Sequence, residues 1–407
     1  MKIITIEIPT LTHLKFNFLG NALIETLATE KLVSWQEKGK PQSAVWQSEA
    51  LTSPPKNIII ADDTTNAKVA YKQMCEGASL LYRGDFQNAK QLLQAITRKV
   101  DIKPIATAEN LTQAFHQHRA RQIQRASITN KILIELNHGN CDLKRAPNIK
   151  DAVAGALITN TKLDKVPAKL VLSLRELLGM NGAHEWRKKG VFIDALQANI
   201  HAHYGVYSPI RGEYLDLINT TSLGNAKTAF DIGTGTGVIA AILVTRGIKA
   251  VMATDNSARA LNCAAENIEK LNLKQYITLE YANLFPSGHK KADLIVCNPP
   301  WLPAKANAPI EHAIYDPNSA MLKGFLTGVK AHLNDNGEAW LILSDLAVHL
   351  GLRSDEELQK WIADAGLMVL EKRDIAPKHA KSSDQSDPLY AARVKEVTSL
   401  YRLKCLD

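Results

Sequence analysis

Residues 229 to 240 read Ala-Phe-Asp-Ile-Gly-Thr-Gly-Thr-Gly-Val-Ile-Ala, and no other stretch limits the possible folds of this chain as much. An apolar strand runs into three alternating glycines and directly on into an apolar helix. Gly233, Gly235 and Gly237 let the backbone turn sharply and bring bare main chain against a ligand, where a Cβ would block it. The helix that follows starts with unsatisfied N–H groups, which suit the polar end of a bound molecule. The plainer alternative is a tight strand-to-helix turn with no ligand.

The downstream sequence repeats this alternation. Ala250 to Asp255 and Ile277 to Asn283 read as strands, Ala320 to Leu333 as an amphipathic helix, and Asn334 to Gly337 as a turn. Ala339 to Ser344, Met368 to Ile375 and Val397 to Leu403 read as further strands. Ser354-Asp355-Glu356-Glu357 is a capping box that opens another helix. Agreement among these local signals predicts an α/β domain.

A dinucleotide site usually shows Gly-x-Gly-x-x-Gly, because a pyrophosphate settles on the helix N-terminus. Here the spacing is Gly-x-Gly-x-Gly, and Asp231 precedes the first glycine by two residues. A carboxylate there repels a pyrophosphate and attracts the ammonium and sulfonium end of S-adenosylmethionine, which argues against NAD. Asp255 ends the second strand about twenty residues beyond the first glycine, where an acid can accept both ribose hydroxyls. Its other reading is a helix-entry residue before Ser257. Thr234 in the turn and Asn256 beside Asp255 complete this candidate cofactor set.

Sixty residues on, an apolar strand ends in Asn298-Pro299-Pro300-Trp301. An amide or exocyclic amine nitrogen is a poor nucleophile, because its lone pair is delocalised into the neighbouring π system. It needs no prior deprotonation if acceptors hold its N–H bonds and favour a more tetrahedral nitrogen. The side-chain oxygen of Asn298 and the carbonyl of Pro299 are the candidate acceptors. The two prolines fix φ and remove competing donors. Trp301 offers a flat face for a planar amide or base. Such a site works by orientation and electrostatics. The bland alternative is a turn after a buried strand.

On these residues, the stretch from about 204 to 407 resembles a class I methyltransferase domain of the Asn-Pro-Pro-aromatic type. That group includes release-factor glutamine N5-methyltransferases, adenine-N6 DNA methyltransferases and several RNA base methyltransferases. The resemblance implies a Rossmann-like sheet of seven mostly parallel strands with helices on both faces, and a site at the carboxyl ends of the first four strands. It also implies that the third strand ends where adenine is held, usually by an Asp; here the residue is Asn283, whose side-chain oxygen can accept from the adenine amine. In glutamine methyltransferases an extended segment before the first strand covers the cofactor and lines the substrate entrance. Pro209, Arg211 and Glu213 resemble that segment, though the residues between them differ; the alternative is a connector with an Arg–Glu surface pair. Tyr315, in the loop Glu311 to Pro317 after the tip, is a further entrance candidate, against a plain helix-entry turn at Asp316-Pro317. The whole chain is also similar to bacterial proteins known only as methyltransferases, including the stretch Leu81 to Ala89.

The 407 residues suggest two domains: residues 1–200, mainly helical and recruiting substrate, and residues 201–407, catalytic. Helical spacing at Val69 to Cys75 and Ala89 to Val100, a helical hairpin turn at Arg83-Gly84-Asp85, and a helix over Leu170 to Leu178 stopped by Gly179 support the first assignment. Residues 1–9 alternate as a strand does and lack a secretory signal pattern. The polar insert Lys378 to Pro388 reads as a loop. No apolar run approaches the roughly 18 residues of a membrane span. Cys75, Cys141, Cys263, Cys297 and Cys405 are scattered without zinc or dithiol spacing, which fits a reducing cytoplasm. His184 and the pair His201 and His203 suggest surface or interface roles; no metal is expected.

A net charge of +8 is compatible with a nucleic-acid partner without establishing one. The densest basic run, His116 to Arg125, reads as a helix with Arg121 and Arg125 on one face, either solvated or contacting phosphate. The expected substrate is therefore macromolecular: a protein glutamine by the tip, or a structured rRNA or tRNA base by the charge. A binding module that keeps the cofactor but has lost turnover is the alternative of another class.

Overall fold

The computed structural model describes residues 31–102, 107–157, 165–377 and 384–406. The chain divides into two compact units: the described residues of 27–188 with 307–309, and those of 189–306 and 310–407. The boundary thus falls about a dozen residues before the expected 200/201, because the hairpin at 191–200 belongs with the second unit. The expected strand at residues 1–9 lies outside the described residues, as does most of the insert at Lys378 to Pro388.

The first unit contains β1 (Leu32–Glu37), β2 (Lys40–Trp46), β3 (Ile58–Ala61), α1 (Ala67–Cys75), β4 (Ser79–Tyr82), α2 (Phe86–Asp101), α3 (Leu111–Thr129), β5 (Ile132–Asn137), α4 (Lys150–Leu157), β6 (Lys169–Ser173) and α5 (Leu174–Lys189). Its strands form one mixed sheet in the order β1-β2-β6-β5-β4-β3. Helical residues outnumber strand residues, but a six-stranded sheet, not a helical bundle, organises the unit. Two expectations are corrected here. Arg83-Gly84-Asp85 is not a helical hairpin: it joins β4 to α2, with Asp85 capping α2 by accepting from the Gln87 N–H at 2.8 Å. Gly84 is required there, because a Cβ would collide with the Asp63 carboxylate. Residues 170–173 belong to β6, and α5 runs on through Gly179. The cause is the same in both places. β4 and β6 are four- and five-residue apolar runs buried in the sheet, and periodicity does not separate such runs from a buried helical turn.

The basic face of α3 also has a structural use. Arg121 donates to the backbone carbonyl of Asp101, and Arg125 donates to its carboxylate at 3.0 Å. Arg121 thereby satisfies a carbonyl at the end of α2, where carbonyls lack intrahelical partners, and Arg125 pairs with the side chain of the same residue.

The second unit opens with the hairpin β7 (Val191–Ile193) and β8 (Ala198–Ile200). It continues with α6 (Glu213–Thr220), β9 (Thr228–Ile232), α7 (Val238–Thr245), β10 (Ala250–Asp255), α8 (Ala258–Lys270), β11 (Ile277–Tyr281) and β12 (Ala292–Cys297). Then follow α9 (Ala320–His332), β13 (Leu333–Ser344), α10 (Leu346–His349), α11 (Asp355–Asp364), β14 (Leu367–Ile375), α12 (Tyr390–Arg393) and β15 (Thr398–Cys405). Seven strands lie in the order β11-β10-β9-β12-β13-β15-β14. β9 to β13 pair in parallel, and β15 runs antiparallel to both its neighbours. This is the seven-stranded, mostly parallel sheet that the resemblance implies. Residues of α6, α7 and α8 pack on one face around Trp340, and those of α9 and α11 on the other around Phe325. The expected turn at Asn334 to Gly337 is a bulged part of β13, with Asn336 at φ 61°.

The order of the strands places the site. From β9 the chain steps outward to β10 and β11, then returns to the opposite side of β9 as β12. In an open α/β sheet the crevice at such a reversal, beyond the carboxyl ends of the strands, is where ligands bind. The loops that leave β9 and β12 are the glycine turn and the Asn-Pro-Pro-Trp tip.

Candidate active site

Strand register brings the candidate residues level. Ile232 pairs with Thr254 on one side and with Cys297 on the other, and Asp255 pairs with Tyr281. Gly233, Asp255, Asn298 and the loop that carries Asn283 therefore leave the sheet at one edge.

The glycine turn is held by its own backbone. Gly233, Gly235 and Gly237 have φ of 74°, 57° and 81°, the left-handed region that disfavours any side chain. The N–H groups of Gly233 and Thr234 both donate to the carbonyl of Thr254 at 2.9 Å. A Cβ on Gly235 would meet no protein atom within 4 Å, so the turn presents bare backbone to open space; one on Gly237 would press on Ala264 at 3.2 Å.

Asp231 is fully buried beneath this turn. Its Oδ2 accepts from the Thr234 hydroxyl at 2.6 Å and from the Ala240 N–H at 3.1 Å. It thus caps α7, whose N-cap Gly237 has no side chain to do so. Its Oδ1 is buried without a hydrogen-bond partner among the described residues. Burial pushes its carboxyl up to about 7, with a smaller contribution from nearby Asp255. Asp255 is half-buried and accepts from the Gly235 N–H at 3.0 Å and the Ser257 N–H at 2.9 Å. Burial also raises its carboxyl. The helix-entry role weighed for Asp255 is thus real, and its contact with Gly235 joins it to the glycine turn as well. Asn256 and Asn283 are exposed in the loops after β10 and β11.

At the tip, Asn298 is half-buried and Pro299 buried. The Asn298 side-chain oxygen accepts from the Trp301 indole N–H at 2.9 Å, which leaves one lone pair for another donor. Trp301 packs against the apolar clusters of both sheet faces. The Arg211 guanidinium carbon lies 5.6 Å from the centre of its ring. Pro209 is buried, and the segment it shares with Arg211 reaches the tip through that contact with Trp301.

The alternative of an Arg211–Glu213 surface pair does not hold. Arg211 instead pairs with Glu396 at 3.1 Å, a residue 185 positions away. Glu396 is buried and also accepts from the Ser344 hydroxyl at 2.8 Å. Glu213 is itself only 2% exposed at the first turn of α6. Beyond the tip, the Leu302 N–H donates to the Ile314 carbonyl, and Leu302 bridges Tyr315, which is half-buried beside the tip. Both carboxylate oxygens of Asp316 accept from α9, from the N–H groups of Met321 and Leu322. The helix-entry reading of Asp316-Pro317 is the one observed.

Two residues escaped the sequence reading. Glu396 gave no local signal, since its partner lies in another element. Asn267 was detectable, as a polar residue on the apolar face of α8. It is 1% exposed, donates to the Thr236 carbonyl at 3.0 Å, and accepts from the His201 N–H at 2.9 Å. It thereby ties the glycine turn to the segment leading to Arg211. His203, on that segment, is buried with its ring 3.1 Å from the Glu266 carboxylate, so it is no surface residue.

A seven-stranded sheet reversing at β9, with a glycine turn on one side of the reversal and Asn-Pro-Pro-Trp on the other, defines a class I methyltransferase domain of the Asn-Pro-Pro-aromatic type. Residues 197–353 match the family described as methyltransferase small domain. A release factor glutamine methyltransferase of Cereibacter sphaeroides is 33% identical over 143 residues, covering 32% of this chain and 51% of that protein. A putative protein N5-glutamine methyltransferase of Methanocaldococcus jannaschii is 30% identical over 119 residues, covering 29% and 58%. The chain spans about half the length of these curated relatives. Among solved structures, the ribosomal protein L11 methylase of Lactobacillus delbrueckii subsp. bulgaricus shares 19% identity and covers 47% of this chain and 77% of that one at a TM-score of 0.33. No helix among the described residues is long and apolar enough to cross a membrane.

Proposed function

We propose that this protein is an S-adenosylmethionine-dependent N-methyltransferase acting on a planar amide nitrogen of a macromolecule, with a protein glutamine side chain as the favoured target. The observation that carries this reading is the pairing of Ile232 with Cys297, which sets the glycine turn and Asn298 side by side at the switch point. Bare backbone at Gly235 and the unpartnered Oδ1 of Asp231 fit the cofactor: the first admits it closely, the second offers a negative charge to its cationic end. Asp231, Gly233, Thr234, Gly235, Gly237, Asp255, Asn256, Asn283 and Asn298 form the proposed cofactor site. When bound, S-adenosylmethionine supplies a methyl group activated by its sulfonium. Asn298 Oδ1 and the Pro299 carbonyl accept the target N–H bonds and orient the nitrogen lone pair. Trp301, steadied by Asn298 and Arg211, walls the target's plane. Once the nitrogen is alkylated it becomes acidic and releases its proton to solvent, so no strong base is needed.

Two considerations favour protein over nucleic acid. The two curated proteins named above are described as a release factor glutamine methyltransferase and a putative protein N5-glutamine methyltransferase, and Arg121 and Arg125 of the basic helix face are engaged by Asp101. The test is incubation of pure protein with radiolabelled S-adenosylmethionine and a lysate of cells lacking it, followed by digestion. Label lost to protease alone supports the glutamine reading. Label lost to RNase alone would replace it with a base methyltransferase, whose binding should weaken steeply with salt. Absence of transfer even in a single turnover would leave a binding module.

Within this site, Asp255→Ala should weaken S-adenosylmethionine about 10- to 100-fold, the equivalent of one net hydrogen bond to a charged acceptor. Calorimetric titration giving equal affinity for variant and wild type would reject the ribose role.

A further inference from the structure

Glu396 is an unusual place for a charge. Its side chain is 0% exposed, and it stands two residues before β15, far along the chain from every residue of the candidate site. The direction of β15 brings it there. That strand runs antiparallel to β13, with Thr398 paired to Ser344, so its entry lies beside the carboxyl end of β13. A parallel strand would have delivered its exit to that edge instead.

Burying a carboxylate is costly unless it is paired and hydrogen-bonded. Glu396 Oε1 accepts from the Arg211 guanidinium at 3.1 Å and from the Ser344 hydroxyl at 2.8 Å. The backbone beside it is also fixed, since the Val397 N–H donates to the Asp345 carboxylate at 2.7 Å and the Asp345 N–H donates to the Val397 carbonyl at 3.1 Å. Glu396 is thus a rigid anchor for Arg211, which comes from a segment without helix or strand between β8 and α6. An arginine on such a segment would otherwise sample many rotamers. Held by Glu396, its guanidinium carbon stands 5.6 Å from the centre of the Trp301 ring, within the range of a cation–π contact. The bond from the indole N–H to Asn298 fixes one edge of that ring, and the guanidinium over its face limits the tilt.

We propose that Glu396 is a positioning residue for the target site: through Arg211 it fixes the tilt of Trp301, the ring against which the target's plane is laid. This rests on the use of Trp301 proposed above and extends it to a residue outside the tip. The contacts close a circuit. From Trp301 they run to Arg211, Glu396 and Ser344, and β13 returns to the tip by pairing Leu341 with Cys297, the residue before Asn298. A planar target lies as its wall lies, so an error in the ring's tilt passes directly to the angle between the nitrogen lone pair and the methyl group.

The test labels the full-length chain with 5-fluorotryptophan, so that each of its six tryptophans gives a fluorine resonance. Trp301→Phe and Trp340→Phe assign the two that matter. Glu396→Gln keeps an acceptor oxygen for Ser344 and removes the charge that anchors Arg211. It should move or broaden the Trp301 resonance and leave that of Trp340, in the middle of β13, unchanged. Transfer of radiolabelled methyl into a lysate of cells lacking the protein should fall about three- to tenfold, the equivalent of one cation–π contact, while calorimetric affinity for S-adenosylmethionine falls no more than about twofold. Arg211→Gln, which keeps a neutral donor beside the buried carboxylate, should have the same effect. Adding Glu396→Gln to it should lower transfer no further, because Glu396 acts through Arg211. A Trp301 resonance untouched by Glu396→Gln would overturn the proposal, as would a shift of Trp340 alongside it or losses that multiply in the double variant. If the Trp301 resonance moves as expected but the wild type transfers no label, the positioning stands and the methyltransferase reading falls.

Discussion

Asn298→Ala is expected to lower turnover by about 10²–10³-fold, the usual cost of one preorganised polar contact at a reacting centre, while affinity for S-adenosylmethionine, whose proposed site Asn298 only borders, falls no more than about twofold. The asymmetry follows from geometry. The cofactor end of the site rests on the glycine turn, to which Asp231 of β9 and Asp255 of β10 are each bonded, through Thr234 and Gly235. Asn298 leaves β12 and bonds to Trp301. Its removal takes away an acceptor for the target nitrogen and also the partner that orients the indole. Turnover measured at saturating cofactor, beside a calorimetric dissociation constant, separates the two effects. Unaltered turnover would sink the role proposed for Asn298.

Trp340→Ala should destabilise the catalytic unit by about 3–5 kcal/mol, the range for removing a fully buried large aromatic side chain. Trp340 is 0% exposed in the middle of β13 and pairs in register with Val296 on β12, two residues before the tip. The void would sit under the strand that carries Asn298 and Pro299. Urea denaturation followed on this unit's transition should show a lower midpoint with an unchanged slope. A loss below about 1 kcal/mol would mean that the surrounding helices collapse into the space, contrary to a tightly packed sheet face.

These two variants test different layers of the molecule: Asn298 the proposed chemical step, Trp340 the platform beneath it.

Much of the catalytic unit was legible because its signals are local. Three glycines in left-handed conformation, an acid at the end of β10, two prolines after β12 and the capping box of α11 each answer a backbone requirement set within a few residues. Asp255 illustrates how far this goes: the helix-entry role read from its neighbours is observed in its bond to the Ser257 N–H, whereas its bond to Gly235 depends on the pairing of β10 with β9.

The first unit shows where such reading stops. Helices α1 and α2 declared themselves by periodicity, but β4 and β6 are too short to show any, and their apolar residues suit a helix or a strand equally. Their conformation was settled by neighbouring strands that pair with them. The charged face of α3 likewise had no single meaning until α2 placed Asp101 against it.

By itself, then, the sequence determined the backbone devices: where the chain turns bare against a ligand, where acids and prolines close the strands, and the alternation that makes an α/β sheet. Only the tertiary structure decided partnership. It gave Arg211 to Glu396 rather than to Glu213 and put Asn267 under the glycine turn. The physical reason is that backbone conformation depends on a few adjacent residues, whereas hydrogen bonding and burial depend on whichever groups the sheet order brings together from far along the chain.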